Sequence, residues 1–206
     1  MDSEDVRRQW AERSGEYSPA YYAYYGPDET SEAVCELLAG AVGRDAAVLE
    51  LGCSSGRHLA HLQDAGFTDL SGIEVNDEAF EVMADAYPAL ADAGTFHHAA
   101  IEDVVREFER DRFDAVYSVE TLQHIHPDND WVFDELARIT AGCLITVENE
   151  GEGDPAAAET DDVNYVHDEF PLYYRDWHGV FTELGFEQVS VTETDRDTIR
   201  AFRALD

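Results

Sequence analysis

The sequence predicts an α/β fold: a doubly wound, mostly parallel seven-stranded sheet with helices on both faces and an antiparallel hairpin at its C-terminal end. Three observations carry this. Short apolar runs of strand length alternate with helix-period segments from residue 46 onward. The run Ala46–Leu51 (AAVLEL) is apolar except for Glu50, as a strand covered on both faces must be. The last two strand candidates, Phe186–Thr192 and Thr198–Ala204, are too close for a crossover helix and read as a hairpin.

Taken in order, residues 1–14 suit a short polar helix, and the aromatic stretch Tyr17–Tyr25 is broken by Gly26-Pro27. Asp28 or Thr30 can cap a helix to about Ala41, with Ala33, Val34, Leu37 and Leu38 on one face. The strand Ala46–Leu51 opens into Gly52-Cys53-Ser54-Ser55-Gly56, and a helix through Leu59 and Leu62 runs to Gly66. Asp69–Val75 is a second strand, and Asn76 or Asp77 caps a helix through Phe80, Val82 and Met83 to Tyr87-Pro88. A short strand at Thr95–His98 precedes an acidic segment, Ile101–Phe108. Then come strand Phe113–Ser118, a loop at Thr121–Pro127, helix Asp128–Ile139 and strand Cys143–Val147. Glu148–Asp162 reads as an acidic, glycine-containing loop, followed by a helix near Tyr174–Leu184. One domain accounts for 1–206: a helical, aromatic cap (1–41), a core (46–148) and a closing segment with the hairpin (149–206).

Charge excludes several classes. The 206 residues hold 46 Asp+Glu against 13 cations, all arginine, for a net charge of −33. Such a chain has no basic face for a nucleic-acid backbone or an anionic membrane. With 44% hydrophobic residues it can still build a core. The acids are dispersed and form no calcium-loop pattern, so they are expected to be a solvated surface suited to a salt-rich cytoplasm. Cys35, Cys53 and Cys143 are odd in number and lack a CxxC pair, consistent with reduced thiols. The first residues lack an apolar leader, no apolar run reaches membrane-spanning length, and a cytoplasmic protein is expected.

The segment Glu50–Gly56 joins a strand end to a helix start, where small residues let backbone N–H groups approach a ligand. It is not a dinucleotide fingerprint, since its glycines are four apart and no third follows; nor can a chain without lysine hold a P-loop. Glu74 ends the next strand 22 positions after Gly52, where a carboxylate can accept both hydroxyls of a ribose.

At this point the chain resembles the class I S-adenosylmethionine-dependent methyltransferases. VLELGCSSGRHL (Val48–Leu59) is similar to their first motif, E/D-x-G-x-G-x-G, with Ser54 in place of the middle glycine. SGIEVN (Ser71–Asn76), AAIEDV (Ala99–Val104) and FDAVYSVETLQHI (Phe113–Ile125) resemble the ribose, adenine and methionine-side motifs, in family order between residues 46 and 148. The resemblance implies S-adenosyl-L-methionine as cofactor, with Gly52, Cys53, Ser54 and Gly56 at its methionine end and Glu50 organising the loop. It also implies Glu74 on the ribose, Ile101 and Glu102 (or Asp103) at the adenine, and Ser118 near the amino group. Residues 46–148 become the cofactor-binding core and 149–206 the substrate side.

Methyl transfer is driven by in-line positioning, with a base needed only if the acceptor loses a proton early. His124 and His126, then Glu120 and Glu148, are the candidates, although Glu148 also reads as one more solvated acid. Tyr21, Tyr22, Tyr174 and Arg175 are candidate acceptor-site residues, and Arg57 and Arg175 are candidate anion contacts. The D/N-P-P-Y motif of amino-methylating nucleic-acid enzymes is absent, which with the charge favours a small-molecule O or N acceptor and no nucleic acid. The alternatives are a cofactor-binding protein without catalysis and a nicotinamide-dependent oxidoreductase, the latter disfavoured by the Gly52–Gly56 spacing and the hairpin.

Overall fold

A computed structural model describes residues 2–151, 163–166 and 170–205. Helices α1 (Ser3–Ala11), α2 (Pro19–Tyr25) and α3 (Glu29–Ala41) precede the sheet. The α2 helix starts on a Ser18 cap with Pro19 in its first turn and stops at Gly26, whose φ of 67° suits only glycine well. Asp28 and Ser31 form a reciprocal capping box on α3.

The core alternates β1 (Ala47–Leu51), α4 (Arg57–Asp64), β2 (Asp69–Glu74), α5 (Glu78–Ala86), α6 (Pro88–Ala93), β3 (Thr95–His98), α7 (Ile101–Val104), β4 (Phe113–Val119), α8 (Trp131–Ile139) and β5 (Thr140–Glu148). A hairpin, β6 (Val163–Val166) with β7 (Phe170–Tyr173), stands apart from the main sheet; α9 (Trp177–Glu183), β8 (Phe186–Glu193) and β9 (Thr198–Ala204) complete the described residues. The main sheet has seven strands in the order β3-β2-β1-β4-β5-β9-β8, with β9 antiparallel to both neighbours. Among the described residues no helix is long and apolar enough to cross a membrane.

Alternation along each strand divides the core into two layers. Leu49, Leu51, Val116, Leu144 and Phe202 meet α8 and α9 on one face, where Trp177 and Phe181 are fully buried against Phe133. Val48, Ala115, Tyr117 and Ile145 meet Val34, Leu38, Leu59 and Leu62 of α3 and α4 on the other. Each large apolar side chain so buried contributes about 1.5–3 kcal/mol. Glu50 lies on the second face with Val48 and Tyr117, so a carboxylate is placed inside the core by the strand's period.

Three elements depart from the sequence reading. Pro88 starts α6 instead of ending the preceding segment, because proline is well suited to a first helical turn. The loop at 121–127 contains a 3-10 turn, Leu122–His124, and a second such turn, Pro127–Asn129, takes the start of the expected helix, so α8 begins at Trp131. The β6–β7 hairpin has no counterpart in the expected elements, and its pairing includes Pro171, which cannot donate to a ladder. Most of the segment expected to be a loop from Glu148 to Asp162 lies outside the described residues.

The order reverses between β1 and β4: the chain leaves β1 toward β2 and β3, then returns to β4 on the other side. Leu51 pairs with Ser118, so the residues that follow each strand diverge and open a crevice at the carboxyl ends.

Candidate active site

A cleft occupies this crevice. Its floor is the β1–α4 turn. Gly52 has φ 66°, and a Cβ there would lie 2.3 Å from Thr121 Oγ1, so the loop after β4 can pack against it only because the side chain is hydrogen. Ser54 also takes a left-handed φ, 47°, and aims its N–H at Glu74 Oε2 at 2.8 Å. The other carboxylate oxygen of Glu74 accepts from the N–H groups of Val75 and Asn76 at 2.7 and 2.8 Å. Burial raises the pKa of Glu74, and the three N–H donors and His98 oppose that rise. Loop and strand end are thereby fixed to each other through one carboxylate.

Glu50 lies below the turn and is 1% exposed. Burial pushes its pKa well up; the Tyr117 hydroxyl beside it pulls the other way, yet Oε2 has no hydrogen-bond partner among the described residues. A buried, unpaired carboxylate oxygen facing a cleft is a place for a cationic or donor group of a ligand. The Cys53 thiol also lines the cleft; burial and then Glu50 raise its pKa, which makes it a poor nucleophile.

The N-terminal cap roofs the cleft. Asn76 Nδ2 donates to the carbonyls of Trp10 and Arg13, at 3.3 and 3.1 Å, and Arg7 pairs with Asp103 at 3.1 Å. Trp10 rests on His124 and Phe170, with centroids 4.6 and 4.5 Å apart. His124 Nδ1 lies 2.9 Å from the Pro171 carbonyl, which can only accept, so Nδ1 carries the proton and Nε2 the lone pair. Burial lowers its pKa to about 4.

The sequence candidates separate into two groups. Glu50, Gly52, Cys53, Ser54, Glu74, Ile101, Glu102, Glu120, His124 and Tyr22 line the cleft, and so does Arg57. The structure does not bring Gly56, Ser118, His126, Tyr21, Tyr174 and Arg175 to the lining, and each has a physical reason. A Cβ on Gly56 would meet Leu90 and Met83, so this glycine seats α4 on α5 and α6. The Ser118 hydroxyl donates to Glu148 Oε1 at 2.7 Å. His126 faces Asp128 and the Tyr173 ring, Tyr21 packs on Tyr25, and the Tyr174 ring covers Gly151. Arg175 is spent on the carbonyls of Leu122, Tyr173 and Ile125 and on Asp130, at 2.8 Å, so it braces a loop and presents little surface to a ligand.

Glu148 corrects another expectation. It is 0% exposed, not a solvated acid, and gathers the Ser118 hydroxyl and the N–H groups of Thr121, Leu122 and Gln123. Sequence reasoning missed Trp10, Arg13, Thr121 and Arg196, all in the lining. The one signal for Arg196 was an arginine between two aspartates in a hairpin turn, a pattern that elsewhere means only a solvated loop.

Residues 48–142 match a family model described as a methyltransferase domain. An O-methyltransferase of Pyrenophora dematioidea is 24% identical over 92 residues, which span 45% of this chain and 34% of that protein. A putative S-adenosylmethionine-dependent methyltransferase from Listeria monocytogenes superposes with a TM-score of 0.66 at 16% identity, covering 87% of this chain and 100% of the other. Geranyl diphosphate C-methyltransferase from Streptomyces coelicolor A3(2), solved with Mg2+, geranyl diphosphate and S-adenosyl-L-homocysteine, gives a TM-score of 0.69 at 14% identity, covering 98% of each chain. Residues 48–142 are therefore a methyltransferase domain, carried on the fold of the class I S-adenosylmethionine-dependent methyltransferases.

Proposed function

We propose that this chain transfers a methyl group from S-adenosylmethionine to an oxygen or nitrogen of a small molecule. The observation that carries the reading is the joint placement of three groups in one cleft: the Gly52 turn, the Glu74 carboxylate locked to Ser54, and the unpaired Glu50 Oε2. Each suits one part of the cofactor. Glu50 would take its ammonium, Glu74 its ribose diol with the lone pairs the backbone leaves open, and Ile101 with Glu102 its adenine. Glu102 is steadied by Asn129 Nδ2 at 3.1 Å.

When bound, the cofactor supplies an electrophilic methyl carbon, so the protein's task is to hold an acceptor lone pair in line with the carbon–sulfur bond and exclude water. The cap does the second through Trp10 and Tyr22. His124 Nε2 is the group to take a proton from an acidic acceptor, because the Pro171 carbonyl fixes its tautomer. Glu120 is the second such group, at the end of β4.

Calorimetric titration with S-adenosylmethionine, S-adenosylhomocysteine and NAD in molar KCl tests the reading, followed by a mass-based search of cell extract for a methylated product. Binding of both sulfur nucleotides, no binding of NAD and a methylated product are expected. No binding of either sulfur nucleotide would overturn it.

A further inference from the structure

The end of the cleft away from the Glu50–Glu74 floor has its own construction. Glu120 follows β4 with a left-handed φ of 49°, a strained setting for a non-glycine residue. Its carboxylate pairs with Arg196 at 3.0 Å, and Arg196 comes from the turn joining β8 to β9. That turn is tightly built. Thr194 Oγ1 accepts the N–H groups of Arg196 and Asp197, at 3.3 and 2.9 Å, and donates to the Asp197 carbonyl at 2.8 Å. The guanidinium is thus delivered from the antiparallel edge of the sheet to the crevice at the centre.

Aromatic surface surrounds it. Trp10, Tyr17 and Tyr22 line the same cleft, and the Arg13 guanidinium lies 4.6 Å from the Phe170 ring and 5.7 Å from that of Tyr17. The local charge departs from that of the molecule. Burial and the neighbouring Glu120 push the pKa of Asp197 up to about 7. Arg13 and Arg196 bring two guanidinium groups to this cleft in a chain of net charge −33.

Resting on the function proposed above, we propose that the methyl acceptor is a planar aromatic acid and that Arg196 determines this specificity. The ring lies among Trp10, Tyr17 and Tyr22, and the acceptor's carboxylate takes the guanidinium in exchange for Glu120. Aromatic faces favour flat rings in offset or edge contacts, and a guanidinium matches a carboxylate with two parallel hydrogen bonds. Glu120 holds the arginine in place until that exchange.

The test uses the full chain in molar KCl, with and without saturating S-adenosylhomocysteine, and follows Trp fluorescence and heat. The probes are para-hydroxybenzoate and para-hydroxybenzyl alcohol, a pair differing in the carboxylate. The acid is expected to bind roughly 10-fold or more tightly than the alcohol, the range of a charge-assisted hydrogen bond. Arg196→Gln should abolish the preference, and Arg196→Lys should retain a fraction of it, keeping charge without the fork. S-adenosylhomocysteine affinity in both variants reports that the fold is intact. Equal binding of the two probes, binding of neither, or a preference that survives Arg196→Gln would overturn the proposal. Failure of S-adenosylhomocysteine to bind wild type would instead overturn the parent reading, and the titrations without it still report on Arg196.

Discussion

The Ser118 hydroxyl donates to Glu148 Oε1 at 2.7 Å, joining the ends of two adjacent parallel strands beneath the cleft. The same carboxylate collects three successive N–H groups of the 121–123 turn, at 3.3, 3.0 and 3.2 Å. It therefore sets the position of Thr121 against Gly52 and of His124 beneath Trp10. Burial raises Glu148 to about 7, against the pull of those four donors.

Glu148→Ala leaves four donors without an acceptor in a buried place. A loss of roughly 2–4 kcal/mol in unfolding free energy is expected, from unsatisfied groups at about 1–3 kcal/mol each with partial relaxation. Chemical denaturation measures this. Glu148→Gln keeps one acceptor oxygen and should lose less. A change within error for Glu148→Ala would show that the turn holds its shape without the carboxylate.

Glu74→Ala removes the acceptor for Ser54, Val75 and Asn76 together with the proposed ribose contact. S-adenosylhomocysteine affinity is expected to drop at least ~30-fold, about 2 kcal/mol, which calorimetry reads directly. Glu74→Gln should fall between, because its amide N–H2 cannot accept from Ser54. Unchanged affinity in both would remove the ribose assignment.

The β1–β2 end of the cleft was more legible in the sequence than the Glu120–Arg196 end, for a physical reason. A strand end followed by small residues, and a carboxylate at the end of the next strand, are local patterns, and β1 and β2 bring Gly52 and Glu74 together by parallel pairing alone. Tyr174 and Arg175 are close to the cleft in sequence terms, but Arg175 is spent on loop carbonyls and Asp130. Arg196 reaches the cleft through two antiparallel pairings and a strand reversal, a path that no run of residues displays. Glu148 looks like any other acid in a chain with 46 of them; only the four donors converging on it distinguish it.

His124 gives a pH prediction. Its pKa falls from near 6.5 when unfolded to about 4 when buried. Between those values the unfolded chain binds the extra proton, so this residue's contribution is complete above pH ~6.5 and fades as pH falls toward 4. His58, lowered to about 3 by burial, acts in the same direction, whereas the raised carboxyls of Glu148 and Asp197 act in the opposite one. The difference between wild type and His124→Phe isolates the term: wild type should lose more stability than the variant on going from pH 7 to 5. Ring carbon shifts by NMR should show His124 neutral at pH 5. A charged ring there would contradict the burial argument.

Charge gives the last prediction. At net −33, mutual repulsion acts over about 10 Å in 0.1 M salt and about 3 Å in 1 M. Surface pairs such as Arg203–Glu187 and Arg8–Asp5 are weakened by the same screening, but such exposed pairs contribute little. With only 13 cations for 46 acids, the repulsive part dominates, so the melting temperature is expected to be higher in 3 M than in 0.1 M KCl. Concentrated salt can also act on apolar burial, and a variant separates the two causes. Glu36, Glu81, Asp85 and Glu109 are exposed, and replacing them with Gln or Asn removes four negative charges without touching the core. The quadruple variant should melt above wild type in 0.1 M KCl and converge with it in 3 M. A parallel rise of the two curves, with no convergence, would assign the salt effect to apolar burial instead of charge.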